Sequence, residues 1–190
     1  MLFLSIDVGI RNLAYVIIEV KELGQKPTIV DWKIVELCET TDNACKVDNT
    51  VIGVNICERL KSMIDSYKFD KIIIENQIGR NAIKMKSIQS MLVMYFVTKN
   101  YDDQSIVNYN AAHKLKYFLG KKKTTYAERK KLSKKIVKEL CNVEFSAWSN
   151  FFDKSKKKDD LSDCLLQGLD YIVKFDYTNN NLYEQISIVE

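Results

Sequence analysis

A chain of 190 residues, 46% hydrophobic and 28% charged, is long enough to bury one core and short for two. A single Pro and six Gly argue against a low-complexity linker. No apolar run approaches the ~18 residues of a membrane span, no basic, cleavable leader precedes the first strand pattern, and the net charge of +4 is modest, so charge distribution says more than its sum.

Residues 2–8, 13–20 and 29–37 alternate apolar and polar side chains and are rich in β-branched residues, with breaks at Gly9 to Asn12 and Gly24 to Pro27. This pattern predicts a three-strand antiparallel meander. Residues 48–67 carry Val51, Val54, Ile56, Leu60, Met63, Ile64 and Tyr67 near helical spacing. The run KIIIEN that follows suits a central parallel strand covered on both faces. Residues 82–98 read as a helix and 104–109 as a fifth strand. A short helix around 111–118, a turn from Gly120 to Thr125 and a helix over 126–141 come next. Residues 142–158 read as a loop bearing Phe145, Trp148, Phe151 and Phe152, and 159–174 as a final helix with a stripe of Leu161, Leu165, Leu169 and Ile172. Residues 1–176 form the expected domain, and 177–190 a tail.

Three antiparallel strands, then strands alternating with helices, predict an α/β fold: a mixed five-stranded sheet, three antiparallel then two parallel strands, with helices on both faces. That is the order of the RNase H-like fold. Strand alternation puts Phe3, Ser5 and Asp7 on one sheet face, and strand four repeats the arrangement with Ile73 and Glu75. Asp160 and Asp163, spaced i, i+3, share one face of the last helix, away from its leucine stripe. A helix packed across the sheet would bring that pair over the strand acids.

Each acid also has a plainer reading: Asp7 as a turn acid, Glu75 in an ion pair, Asp160 as a helix cap beside Asp159. Taken together, the four are hard oxygen ligands without a His or Cys partner, suited to Mg²⁺ or Mn²⁺. Two such ions roughly 3.5–4 Å apart can activate a water and stabilise a leaving oxygen in phosphodiester hydrolysis. One histidine, His113, and five cysteines without a CxxC pair weigh against a zinc site or a His-based hydrolase, and the cysteines read as reduced thiols of an intracellular protein.

From Lys114 to Lys138 eleven Lys or Arg face one acid, Glu128. Such a field suits a polyanion, the alternative being a solvated helix face. Lys154 to Lys158 add to it, and binding through such residues is steeply salt-dependent. Arg80, Lys84 and Lys86 stand at the start of helix 82–98. The large apolar residues of that helix, Met85, Ile88, Met91, Leu92, Tyr95 and Phe96, fit either core packing or a dimer face. The aromatics of 142–158 fit either stacking on unpaired bases or a satellite hydrophobic cluster.

The segments IDVGIRNLAY, IIIENQ and KKDDLSD, in that order, resemble the RuvC-like Holliday junction resolvases, in particular the branch of poxviruses and other large cytoplasmic DNA viruses. The resemblance runs from residue 1 to about 175. It implies a homodimeric endonuclease of DNA recombination, repair and viral DNA processing, one that nicks opposing strands of branched DNA symmetrically. By it Asp7, Glu75, Asp160 and Asp163 are the catalytic acids and hold two Mg²⁺ or Mn²⁺ ions, and Lys130 assists at the scissile phosphate with Lys131 as its neighbouring ambiguity. Lys116 is the better match to a further basic residue, and Lys114 the reserve. Lys114, Lys116, Lys121, Lys122, Lys123, Arg129, Lys131, Arg80 and Lys84 are the expected DNA contacts. No membrane and no nucleotide cofactor are implied; a viral source would place the protein in the infected cell's cytoplasm. Bacterial relatives often carry His where Asp160 stands, so this chain follows the all-carboxylate pattern.

Three other readings compete. Another RNase H-fold nuclease, cutting RNA–DNA hybrids or flaps, would use the same acids. A non-catalytic junction-binding protein would keep the fold. An actin-like or sugar-kinase ATPase half, suggested by the strand-loop-strand IDVGIRNLAYVI, would need a second Gly-rich phosphate loop that six glycines do not supply.

Overall fold

The computed structural model describes residues 1–39, 43–79, 82–110, 114–119 and 124–178. Five strands, β1 (Leu2–Asp7), β2 (Asn12–Glu19), β3 (Thr28–Glu36), β4 (Lys71–Glu75) and β5 (Ile106–Tyr109), form one sheet in the order β3-β2-β1-β4-β5. The first three pair antiparallel and β1, β4 and β5 pair parallel, as the alternation predicts. The β1–β2 turn is tight: a Cβ at Gly9 would lie 2.2 Å from the Asn12 carbonyl oxygen, so glycine is required there by close approach of the backbone.

Two helical layers cover the sheet. On one face lie α1 (Asn49–Ile64) and α2 (Ile83–Val97), packed on Leu4, Ile6, Ile17, Ile72 and Ile74. Asp48 caps α1 by accepting from the Thr50 N–H at 2.7 Å. The buried stripe of α1 is Ile52, Ile56, Leu60 and Ile64, a strict i, i+4 row, which leaves the expected core positions Val51 and Val54 exposed.

The other face carries the short α3 (Lys116–Leu119) and α4 (Tyr126–Val143), α5 (Ser146–Lys154) and α6 (Lys158–Lys174). Thr125 and Glu128 close a capping box at the start of α4. The expected loop 142–158 is corrected here: most of it is α5, whose Trp148, Phe151 and Phe152 recur at helical spacing. Phe152 stacks on Trp32 of β3, ring centres 5.6 Å apart, with Trp148 and Phe151 packed around them. Phe145 is buried too. Phe145 and Phe152 are core and Trp148 and Phe151 pack against it, which favours the hydrophobic-cluster reading over stacking on unpaired bases.

Helix α6 is buried on almost every side. Its Gln167 donates to Ser5 Oγ at 3.1 Å, the Ile6 carbonyl at 3.1 Å and the Ile73 carbonyl at 3.3 Å, and Ser5 Oγ donates to the Cys164 carbonyl at 2.8 Å. At Gly168 an added Cβ would come within 2.9 Å of Ser5 Cβ, so the helix sits directly on β1. Gln167 thus ties α6 to the two central strands one residue before Asp7 and two before Glu75. Gln167→Leu should strand these partners at a cost of about 1–3 kcal/mol, measured as a lower urea midpoint; an unchanged midpoint would show the bridge to be incidental.

The described chain does not fray at the expected boundary after Asp176. Thr178 Oγ1 donates to the Gln25 carbonyl at 2.6 Å, the Gly24 N–H donates to the Tyr177 carbonyl, and the Tyr177 ring meets Phe3 edge-on. The rest of the expected tail, from residue 179, lies outside the described residues. All five cysteines are free thiols, with Cys45 and Cys57 exposed and Cys38, Cys141 and Cys164 buried. No helix among the described residues is long and apolar enough to cross a membrane.

Candidate active site

Asp7 ends β1 and Glu75 ends β4, so two adjacent parallel strands deliver their terminal acids to the same end of the sheet. The first turns of α6 bring Asp160 and Asp163 to that end, and all four acids line one cleft of about 520 Å³ with Lys114, Arg129, Lys130 and Tyr126.

Burial, reinforced by the facing charges of Glu75 and Asp163, pushes the Asp7 carboxyl well above its ordinary value, although Lys114 opposes the shift. Asp7 and Glu75 share a side-chain hydrogen bond. Glu75 is held in turn by Gln77 Nε2, which donates to its Oε2 at 2.8 Å. The Gln77 backbone N–H donates to Gln89 Oε1 of α2 at 2.9 Å, and Gln89 Nε2 donates to Asn108 Oδ1 of β5 at 2.8 Å. This amide chain orients Glu75 and was not singled out from sequence, although IIIENQ contains its first member. Gln89→Leu should leave the Gln77 N–H without its partner, at a cost of about 1 kcal/mol in urea unfolding; an unchanged midpoint would show Gln77 to be held without it.

The α6 acids divide their roles. Asp159 takes the backbone N–H groups of Asp159 and Asp160 and pairs with Lys130 at 2.8 Å, so it meets the unpaired donors at the helix start. Asp160 is thereby left to the cleft, and burial, with the charge of Asp159, raises its carboxyl. Asp163 pairs with Lys114, Nζ to Oδ1 2.7 Å.

The basic residues separate clearly. Lys114 and Lys130 lie in the cleft, whereas Lys116 and Lys131 are exposed outside its lining, so geometry favours the first of each pair. The Lys130 ammonium also sits over the Tyr126 ring at 5.3 Å, and Tyr126 is a cleft residue that sequence reading passed over. Arg129 lines the cleft and donates to the Thr124 carbonyl at 2.6 Å. Lys84 is turned elsewhere: its ammonium meets the Val47 carbonyl in a groove between residues 45–49 and 83–87. Arg80, Lys121, Lys122 and Lys123, expected DNA contacts, lie outside the described residues, as does His113.

The donor chemistry of the cleft, carboxylates alone, fits a hard divalent cation. Asp7, Glu75, Asp160 and Asp163 would hold it. Among the described residues no three such side chains converge into a ready-formed metal cage.

A mixed sheet with this strand order is the RNase H-like fold. The chain belongs to the Poxvirus A22 protein family, whose model matches residues 1–175. The fowlpox virus resolvase, solved with its substrate Holliday junction DNA, superposes with a TM-score of 0.63 at 19% identity, over 92% of this chain and 99% of that one. RuvC of Thermus thermophilus gives a TM-score of 0.60 at 12% identity, covering 93% and 98%. The yeast mitochondrial Holliday junction resolvase Ydc2 gives 0.60 at 20%, covering 91% and 83%. At these identities the likeness is one of fold. An uncharacterized protein of Acanthamoeba polyphaga mimivirus is 32% identical over 120 residues, which span 54% of this chain and 29% of that relative.

Proposed function

We propose that this protein is a structure-selective endodeoxyribonuclease that resolves Holliday junctions and other branched DNA by divalent-metal-dependent phosphodiester hydrolysis. The observation that carries this reading is the single cleft in which four carboxylates meet two lysines and an arginine. Family membership and the likeness to resolvases solved with junction DNA support the substrate.

Two Mg²⁺ or Mn²⁺ ions bound by the four acids would activate the attacking water and stabilise the leaving oxygen. The chain supplies the rest. Gln77 fixes the rotamer of Glu75, and Gln167 fixes the spacing of β1, β4 and α6 beneath the acids. Lys130 and Arg129 offer cations at the rim for phosphates flanking the cut, contacts that position DNA without reading sequence.

Paired nicks require two such sites, hence a homodimer. Ile88, Leu92, Tyr95 and Phe96 of α2 are buried within the monomer, so they do not form the dimer face. Val54 of α1 and Met91 of α2 instead line a shallow apolar groove with Gly53 and Cys57, and Val51 and Met94 are exposed on the same two helices. Contiguous exposed apolar surface of this kind marks association sites. Val54→Glu should convert a dimer to a monomer in sedimentation velocity and uncouple the two nicks; a variant that stays dimeric would move the interface elsewhere.

The deciding experiment offers labelled four-way junctions, flaps and RNA–DNA hybrids to the purified protein with Mg²⁺ or EDTA. Symmetric, Mg²⁺-dependent nicking of the junction is expected. Efficient cutting of hybrid RNA without symmetric junction cleavage would favour another RNase H-fold nuclease, and binding without cutting a junction-binding scaffold. Calorimetry with ATP tests the ATPase reading and should show no heat of binding.

A further inference from the structure

Lys114 occupies a position that a phosphate-binding lysine does not need. Its ammonium lies 2.7 Å from Asp163 Oδ1 with 14% of its side chain exposed, and it lines the same cleft as Asp7 and Glu75. Acids from β1, β4 and α6 therefore share one cleft with a monovalent cation delivered by the segment before α3. Lys116, two residues on, is exposed outside the cleft.

We propose that Lys114 is the resident counter-ion of the acid cluster and exchanges with the divalent ion. In the metal-free protein its ammonium offsets the mutual repulsion of Asp7, Glu75 and Asp163 and holds α6 over the strand ends. When a divalent ion takes the same carboxylate oxygens, the ammonium leaves Asp163 and becomes available to a DNA phosphate. No covalent bond changes; the step replaces one cation by another on the same oxygens. Metal loading and DNA binding then become linked, because each favours the position of Lys114 that the other needs.

The inference rests on the nuclease reading of the cluster, and its test separates the two. Mn²⁺ binding to the purified full-length protein is titrated by the electron paramagnetic resonance signal of free Mn²⁺, without DNA. Lys114→Met should bind Mn²⁺ at least tenfold tighter than wild type. Lys134→Met removes the same charge from the exposed side of α4 and should stay within twofold. Lys114→Arg, whose fork grips Asp163 more firmly, should bind Mn²⁺ several-fold more weakly, and it keeps the test open should the Met variant misfold. In wild type Mn²⁺ should also tighten binding of an uncleavable junction several-fold, an effect lost in Lys114→Met. Equal Mn²⁺ affinity in wild type, Lys114→Met and Lys114→Arg overturns the exchange and leaves the nuclease reading intact. Mn²⁺ binding that is absent from wild type, or undiminished in Asp7→Asn, overturns both.

Discussion

Asp7→Asn is expected to remove Mg²⁺-dependent junction cleavage by about a thousandfold or more, a loss of about 4 kcal/mol of transition-state stabilisation, while junction binding stays within a few fold. Glu75→Gln should do the same. Retained cleavage in either variant would sink the site assignment. The stability of Asp7→Asn makes the result harder to mistake for misfolding. Because burial, Glu75 and Asp163 raise the Asp7 carboxyl in the folded state, its contribution to stability is full below the unfolded value near 3.8 and lost as the pH rises through the folded value. At neutral pH without metal, the carboxyl at this position therefore costs the fold stability that an amide would not. Asp7→Asn should melt at a higher temperature than wild type in EDTA at pH 7, and the gap should close as the pH falls toward 3.8. A lower melting temperature at pH 7 would mean that Asp7 is a structural acid.

Trp32→Ala should produce the largest loss of stability, about 3–5 kcal/mol by urea unfolding. The side chain is fully buried, stacked on Phe152 of α5, and its Nε1 donates to the Leu161 carbonyl of α6 at 3.2 Å. Removing it opens a cavity where β3, α5 and α6 meet, next to the turn of α6 that carries Asp160 and Asp163. Cleavage should fall along with stability for that reason. Trp32→Phe keeps ring contact and loses the Nε1–H shared between the Leu161 carbonyl and Cys164 Sγ, at about 1 kcal/mol. A deficit under 1 kcal/mol in the alanine variant would show that this layer is held from elsewhere.

The strands and the four acids were legible because period-two alternation reports directly which side chains share a sheet face. Asp7 and Glu75 followed from counting along LFLSID and KIIIE, and the pairing of Ser5 with Ile73 in adjacent strands bears that counting out. Helix α5 was missed although Trp148, Phe151 and Phe152 are spaced i, i+3, i+4, because nine residues rich in Ser, Asn and aromatics have weak intrinsic helix preference. Packing on Trp32 supplies what propensity lacks. The phase of α1 was misjudged because valines at 51 and 54 look as apolar as the isoleucines beside them. The sequence match favours Lys116, whereas it is Lys114 that lines the cleft, since the direction of a short segment after an edge strand is a tertiary matter. Two signals for the support of the site were available and unread: Ser5 inside an apolar strand on the face of Asp7, and Gln167 inside the apolar run CLLQGL.

The distribution of thiols has a practical consequence. Cys45 and Cys57 are open to alkylating reagents, whereas Cys141 and Cys164 lie in the α4–α6 layer and Cys38 is buried near the end of β3. Each probes a different event by mass spectrometry. Protection of Cys57 relative to Cys45 would report the proposed subunit contact. Labelling of Cys164, whose sulfur lies 3.3 Å from Trp32 Nε1, would report α6 lifting off the sheet. Native cysteines thus serve as built-in footprinting probes, able to test the proposed subunit contact and to time helix opening without any added label.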